Sequence, residues 1–459
     1  MKEMLKKSFS HLGWDKLALL IILTGLIWTN LYYKFWNSER RIIVHDVILY
    51  YEYLPGTFIH KDITMSFVAE DPAYYKDKIW IKKTRTGRSV SKMTMGLAVL
   101  YAPFFLAANG LSVSLGFPAD GYSEPYRFAL ILSSVFYATL GFWLLIKLLR
   151  KYFARGAIAI SLLATGLGTN LYFYTTIEPP MSHAYSFFLF AAFIYFVDSW
   201  VAKPSWGNSA YVGLIGGLII LVRPSNGIIF ILLPLWQVDS VSAMLIRFKL
   251  FMQKALKLIL IALTACLVFV PQIIYWKYVT GDYFYYSYGD ERFFFNDPAF
   301  LQGLLSYRKG WLVYTPVMTF ALIGIIVLFF RHREFFWPVA VFTFLNLYVV
   351  WSWWCWWYGG GFGQRALIES YALLSIPLTA FTKFILEKRL IPRISFLVIV
   401  ACLISLNIFQ TRQYYKGIIH WDAMNRKTYW DSYFRTKVRP GFYNMVDNPD
   451  YKAALKGDR

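Results

Sequence analysis

Apolar runs of roughly 10 to 20 residues recur along the chain, each closed by a short polar or basic turn. The longer ones match a hydrocarbon core about 30 Å thick, crossed by a helix rising about 1.5 Å per residue. In order they are Leu17–Phe35, Ala129–Leu149, Ala157–Tyr172, Ala184–Val201, Ala210–Val222, Gly227–Trp236, Leu258–Trp276, Leu312–Phe330, Phe336–Val350, Ala366–Phe384 and Ile394–Ile408. The pattern predicts an all-α polytopic membrane protein with about 11 crossings; a transmembrane barrel would show short alternating segments instead. Ala210–Val222 and Gly227–Trp236 are short for spans and read as a shallow hairpin. Gly96–Leu111 is also short and contains Pro103, which predicts an interfacial or re-entrant helix.

One long polar interruption, residues 36–125, follows the first run. Within it Ile42–Leu54 mixes apolar and polar positions and reads as a helix lying on the membrane surface. Lys and Arg total 47 against 26 Asp and Glu, a formal net charge of +21. In a membrane protein this charge is first a topological signal, because cytoplasmic loops are enriched in Lys and Arg. The start MKEMLKK, the turn KLLRKYFAR after Leu149, the group Arg247, Lys249, Lys254 and Lys257, and the turns at Arg331 and Lys388 all fall inside if the N-terminus is cytoplasmic. That assignment keeps Gly96–Leu111 within the outer loop. It divides the chain into a transmembrane domain, 1–410, with 36–125 as its first outer loop, and an outer-face tail, 411–459. The tail is net basic, but long segments translocate largely regardless of charge. With the charge so accounted for, no nucleic acid is expected as a partner.

The chain is 58% hydrophobic, 20% aromatic and 16% charged, against about 25% charged in soluble domains. No small-residue cleavage site follows the first run, so it reads as a signal anchor. Cys266, Cys355 and Cys402 lie in or beside apolar segments, fit no metal spacing and read as small core residues. The sequence has no GxxxxGK[ST], HExxH or GxSxG motif, so no bound nucleotide is expected to supply energy.

The ionisable residues at the expected membrane mouth are the candidates for chemistry. Asp46, in IVHDVI, is flanked by apolar residues; a carboxylate there can accept a proton from a hydroxyl or help to hold a divalent cation, and a solvated loop aspartate is the alternative. His45 adjoins it, although neighbours on a helix do not face the same way. TTIEPPMSH places Glu178 and His183 at the mouth of the fourth run, as a second acid facing Asp46 or as an ordinary Pro-led helix start. Arg85, Arg88 and Lys92 precede the Gly96 segment and suit a phosphate, or anionic lipid heads. Arg223, in LVRPSNG, faces a cavity if the flanking helices dip partway, or snorkels to the interface. In WWCWWYGGGFGQRALIES, tryptophans form an interfacial belt, glycines allow close backbone approach, and Arg365 suits an anion unless it pairs with Glu369 one turn on. Asp282, Asp290, Glu291 and Asp297 stand among aromatics that suit a sugar or a plain interface loop equally, and none is assigned a catalytic part.

The order of these features resembles the GT-C membrane glycosyltransferases, especially bacterial members related to protein O-mannosyltransferases and aminoarabinose transferases. Asp46 stands where that family keeps a first-loop aspartate. SKMTMG resembles its Lys-x-Pro-x-Gly stretch without the proline and makes Lys92 the family-like phosphate contact. Glu178 resembles the acid of the second outer loop, and GGGFGQR resembles a glycine–arginine stretch of related bacterial proteins. The chain lacks the adjacent Asp–Glu pair that protein mannosyltransferases carry after the first span. The resemblance implies a GT-C-like bundle in a bacterial inner membrane, with the active site on the outer face. It implies inverting transfer of a sugar from a polyprenyl-phosphate donor to a lipid, glycan or protein acceptor. Asp46 would be base or metal ligand, Glu178 a second acid, and Lys92, Arg88, Arg223, Arg365, His183 and His45 would bind substrate. A flippase, which predicts inverted repeats, and an O-antigen-type ligase or polymerase are the rival readings.

Overall fold

The structure is a computed structural model that describes residues 13–459. The basic start MKEMLKK, on which the inward N-terminus was read, lies outside the described residues. The chain folds as a polytopic helical membrane protein. Seven helices are long and apolar enough to cross a bilayer, and shorter apolar helices fill between them.

In chain order the principal helices are α1 (Trp14–Tyr33), α2 (Asp46–Tyr51), α3 (Gly96–Ser112), α4 (Glu124–Leu149), α5 (Arg155–Leu167), α6 (Ser182–Ala202), α7 (Trp206–Val222), α8 (Ala255–Thr280), α9 (Met318–Arg331), α10 (Arg333–Ser352), α11 (Tyr371–Leu386), α12 (Leu390–Tyr415) and the short α13 (Tyr451–Lys456). The centre is α6, mostly buried and packed between α4 and α7. α1, α8 and α12 lie at the periphery, with most of their apolar surface left for lipid. Helices approach closely where glycines face them: a Cβ at Gly324 of α9 would sit 2.0 Å from the Pro377 carbonyl oxygen of α11.

Contacts between loops fix the two ends of the bundle. At one end Arg150 pairs with Asp15 (2.5 Å). Asp198 there accepts from Lys151 Nζ (2.6 Å), Tyr152 Oη (2.7 Å) and Trp236 Nε1 (2.9 Å). Arg331 pairs with Glu387 (3.2 Å). This end collects the basic turns that the sequence places together. At the other end Arg127 Nε donates to the Trp36 carbonyl (2.6 Å), and the first loop and the tail assemble over it.

The Gly96 segment is longer than expected: α3 and a following 3₁₀ turn make a 20-residue apolar stretch. Even so it runs along only half of α4. Asn109 and Phe105 meet Tyr126, Phe104 meets Phe136, and the Leu100 carbonyl accepts from Tyr137 Oη (3.1 Å). α3 therefore occupies the Trp36 end and stops near the middle of α4.

Two expectations are corrected. Ala210–Val222 and Gly227–Trp236 are not a shallow hairpin. Arg223 lies at the Trp36 end and Trp236 at the Asp198 end, so the segment after Arg223 traverses the bundle. It does so as a 3₁₀ helix over Pro224–Ile231, whose rise of about 2 Å per residue covers more depth than an α-helix of equal length. Ile42–Leu54 does not lie on a surface either. The helix begins only at Asp46, and Val47, Ile48, Leu49, Tyr50, Tyr51, Tyr53 and Leu54 are buried. The rest of the first loop contains an antiparallel hairpin, β1 (Lys82–Lys83) with β2 (Ser89–Val90), which clamps the end of α8. Thr84 and Thr86 hydroxyls each donate to the Val279 carbonyl at 2.7 Å, and Arg88 Nη1 donates to that of Tyr278 at 2.6 Å.

Candidate active site

At the Trp36 end a cavity of about 440 Å³ opens among segments that are remote in sequence. The first loop supplies Asp46, Tyr50 and Lys92. The break between α7 and the 3₁₀ crossing supplies Arg223. The loop after α8 supplies Tyr288 and Glu291, and the tryptophan–glycine loop supplies Trp353, Trp354, Cys355, Tyr358 and Arg365. A volume of this order is that of a small-molecule site.

Asp46 opens α2. His45 before it has φ +53°, a turn uncommon for a side chain other than glycine, and this bend delivers Asp46 to the cavity wall. His45 itself is exposed and does not line the cavity. Arg365 Nη1 lies 3.3 Å from Asp46 Oδ2, while its Nε donates to the Tyr358 carbonyl at 3.1 Å. Gly359 and Gly363, at φ +63° and +62°, let the loop fold tightly enough to aim Arg365 inward.

The alternative pairing of Arg365 with Glu369 is not formed. Residues 365–370 form a 3₁₀ turn, in which positions four apart diverge by about 120° instead of sharing a face. Arg365 reaches Asp46, and Glu369 reaches Arg223 Nη1 at 2.9 Å. Glu369 is buried, and His183 Nδ1 lies 3.6 Å from its Oε1. His183 is fully buried behind this pair and has no place on the cavity wall.

Glu178 sits behind Arg365, away from the lining. Burial pushes its carboxyl up to about 7, against the nearby cations Arg365 and Lys309 and with the charge of Asp46. Lys309 was not foreseen from the sequence. It is buried, donates to the carbonyls of Gly361 and Trp421 (the latter at 2.6 Å), and burial pushes its ammonium down to about 7 against Asp422. Lys92 Nζ is 2.6 Å from Glu291 Oε1 and 5.0 Å from the Tyr288 ring centroid. Arg88 stacks on Tyr278 at 4.2 Å and stays in the hairpin clamp, off the cavity.

The structure thus brings Asp46, Arg365, Arg223 and Lys92 to one cavity, sets Glu178 and His183 behind it, and leaves Arg88 and His45 outside. The donor set does not suit a divalent ion. Asp46, Glu291 and Glu369 each face a basic side chain, and among the described residues no three His, Cys, Asp or Glu side chains cluster as a metal site.

No family model and no curated protein matches the chain. Among solved structures it is similar to the apo form of the Archaeoglobus fulgidus oligosaccharyltransferase, with 14% identity, a TM-score of 0.47, and coverage of 87% of this chain and 55% of that one. The chain spans little more than half the length of that protein. The likeness is too slight to carry an argument about reaction or substrate.

Proposed function

We propose that the protein is a GT-C-type membrane glycosyltransferase. It moves a sugar from a polyprenyl-phosphate donor to a hydroxyl or amine on a lipid, glycan or protein acceptor, at the outer face of a bacterial inner membrane. The observation that carries this reading is the meeting of the carboxylate of Asp46 with three cations, Arg365, Arg223 and Lys92, in one cavity. Asp46 and Arg365, for example, are 319 positions apart in sequence.

In this reaction the acceptor oxygen or nitrogen forms a bond to the anomeric carbon as the bond from that carbon to the phosphate oxygen breaks. Asp46 takes the acceptor's proton. The electron pair leaves with the phosphate, which gains one negative charge. Arg365, Arg223 and Lys92 face that charge with fixed donors, whose benefit grows as the charge develops. A single displacement inverts the anomeric carbon. The basic turns collected at the opposite end of the bundle support the outer placement of the cavity.

The test is incubation of purified protein with a panel of polyprenyl-phosphate sugars and acceptors, with Asp46→Asn run beside it. Loss of a general base costs about 10²–10⁴-fold, so turnover should fall at least 100-fold with the fold unchanged. Full turnover by Asp46→Asn would remove Asp46 from the chemistry.

A further inference from the structure

The cavity is roofed by the segment 281–299, which follows α8 and precedes α9. Both ends of this strap are tied down. At one end Arg85 Nη2 lies 2.7 Å from Asp282 Oδ1. At the other, Phe293 bridges to Trp353, and Trp354 N donates to the Arg292 carbonyl at 3.0 Å. The middle has few ties. Gly281 and Gly289, at φ +86° and +63°, bound a stretch in which Tyr283, Phe284 and Tyr286 are exposed. Across the cavity it is held by Lys92 to Glu291, by Trp354 Nε1 donating to Glu291 Oε2 (3.1 Å), and by Tyr288 Oη donating to Met93 Sδ (3.4 Å).

Glu291 therefore occupies both donors, an ammonium and an indole N–H, that an incoming anion would meet at this wall. We propose that Glu291 is a specificity-determining internal anion: a phosphate-bearing lipid takes its place on Lys92 and Trp354 and frees the strap, whereas an uncharged lipid cannot. This rests on the polyprenyl-phosphate reading above. The exchange trades one anion for another on the same donors, so Lys92 is never left half-buried without a counter-charge. The pair is also accessible enough to exchange, with side chains 37% and 22% exposed. A neutral ligand offers no replacement charge and must leave the Lys92–Glu291 bond in place.

Cys355 reports on the strap. It lines the cavity, is only 4% exposed, and burial pushes its thiol up to about 12, so it should label slowly while the strap is latched. Cys266 and Cys402 are exposed and would be replaced by alanine. Farnesyl phosphate should speed Cys355 labelling by a maleimide at least tenfold, and farnesol should not. Glu291→Gln and Lys92→Gln should each label fast without ligand and respond little to farnesyl phosphate. The exchanged pair Lys92→Glu with Glu291→Lys should restore slow labelling. Farnesyl phosphate that binds, by native mass spectrometry, without changing the labelling overturns the exchange alone. Fast labelling in neither single variant does the same. Failure of farnesyl phosphate to bind at all overturns the donor reading, and the exchange with it.

Discussion

Glu52 has no exposed surface; the Trp80 amide donates to its Oε2 at 3.0 Å, and its Oε1 has no partner. Burial pushes this carboxyl up to about 8, opposed by Ser91 and by Trp80 N. The protonated form is therefore the native one at neutral pH. Between the unfolded value near 4.5 and the folded value near 8, the native state holds a proton that the unfolded chain has lost. Stability from this residue is then complete below the unfolded value and is lost as pH rises, at up to about 1.4 kcal/mol per unit. Glu52→Gln is a neutral isostere and should abolish that slope. Thermal unfolding in detergent from pH 5 to 8.5 checks it: the gap between variant and parent should widen in the variant's favour with pH. Parallel curves would mean that Glu52 is ionised in place. The site residues show the same contrast between identity and partner. Asp46 and Arg365 were legible because each stands where a polar group interrupts an apolar or glycine-rich run. Glu291 and Lys309 were not legible as site residues, because their partners lie far along the chain: 199 positions separate Lys92 from Glu291, and 112 separate Lys309 from Trp421.

Elements were read well where their period and length were ordinary. The long spans α1, α4, α6, α8, α10 and α12 lie where the apolar runs lie. Reading failed where the backbone left the α-helix, at Pro224–Ile231 and at Arg365–Ser370. Apolar periodicity says nothing about a tighter helix, and in both places the 3₁₀ form decides which side chain reaches the cavity. The pairing of α7 with α8 was also missed. Gly213 and Gly217 stand four apart on α7. A Cβ at Gly213 would lie 2.3 Å from the Ile261 carbonyl oxygen, and one at Gly217 would lie 2.5 Å from that of Ala265. These glycines let the two backbones touch, which favours helix association where lipid offers no hydrophobic drive. Apart from this contact α8 is largely turned to lipid, with Leu256, Ile259, Leu263, Leu267 and Ile274 exposed. Gly217→Val should therefore cost about 1–3 kcal/mol by overpacking and loosen α8 before the rest of the bundle. Gly207→Ala, near the start of the same helix with nothing within 4 Å of the added carbon, should be neutral or slightly stabilising. Unfolding of the two variants side by side, with hydrogen exchange read over α8, makes the comparison. Equal behaviour would rule out close packing as the reason for the glycines.

At the scale of the whole molecule the cavity is completed by the last part of the chain. The sequence marks residues 411–459 off as an outer-face tail but gives no sign of where they dock, since composition carries no information on long-range contact. The tail folds back over the site end. Lys309 ties Trp421 to the glycine loop, Arg308 Nη1 donates to the Asp422 carbonyl (3.2 Å), and Tyr451 Oη donates to Asp422 Oδ2 (2.5 Å). Helix α13 then covers the tryptophan loop: Ala454 is buried with Trp354, Cys355, Trp356 and Trp357, and Arg459 Nη1 donates to the Trp353 carbonyl (3.0 Å). Tyr451 itself lines the cavity. These contacts fall on loops and leave the helix-to-helix packing untouched. A chain ending at Asp447 should accordingly unfold within a few degrees of the full chain, because the bundle's buried apolar surface is retained. It should label at Cys355 at least tenfold faster, because the tail's share of the cover over that thiol is gone, and it should lose at least tenfold in donor turnover, because one wall of the site is missing. A truncated chain with slow labelling and full turnover would show that the cavity stands without its tail. A large fall in unfolding temperature would show instead that the tail holds the bundle and does not merely line the site.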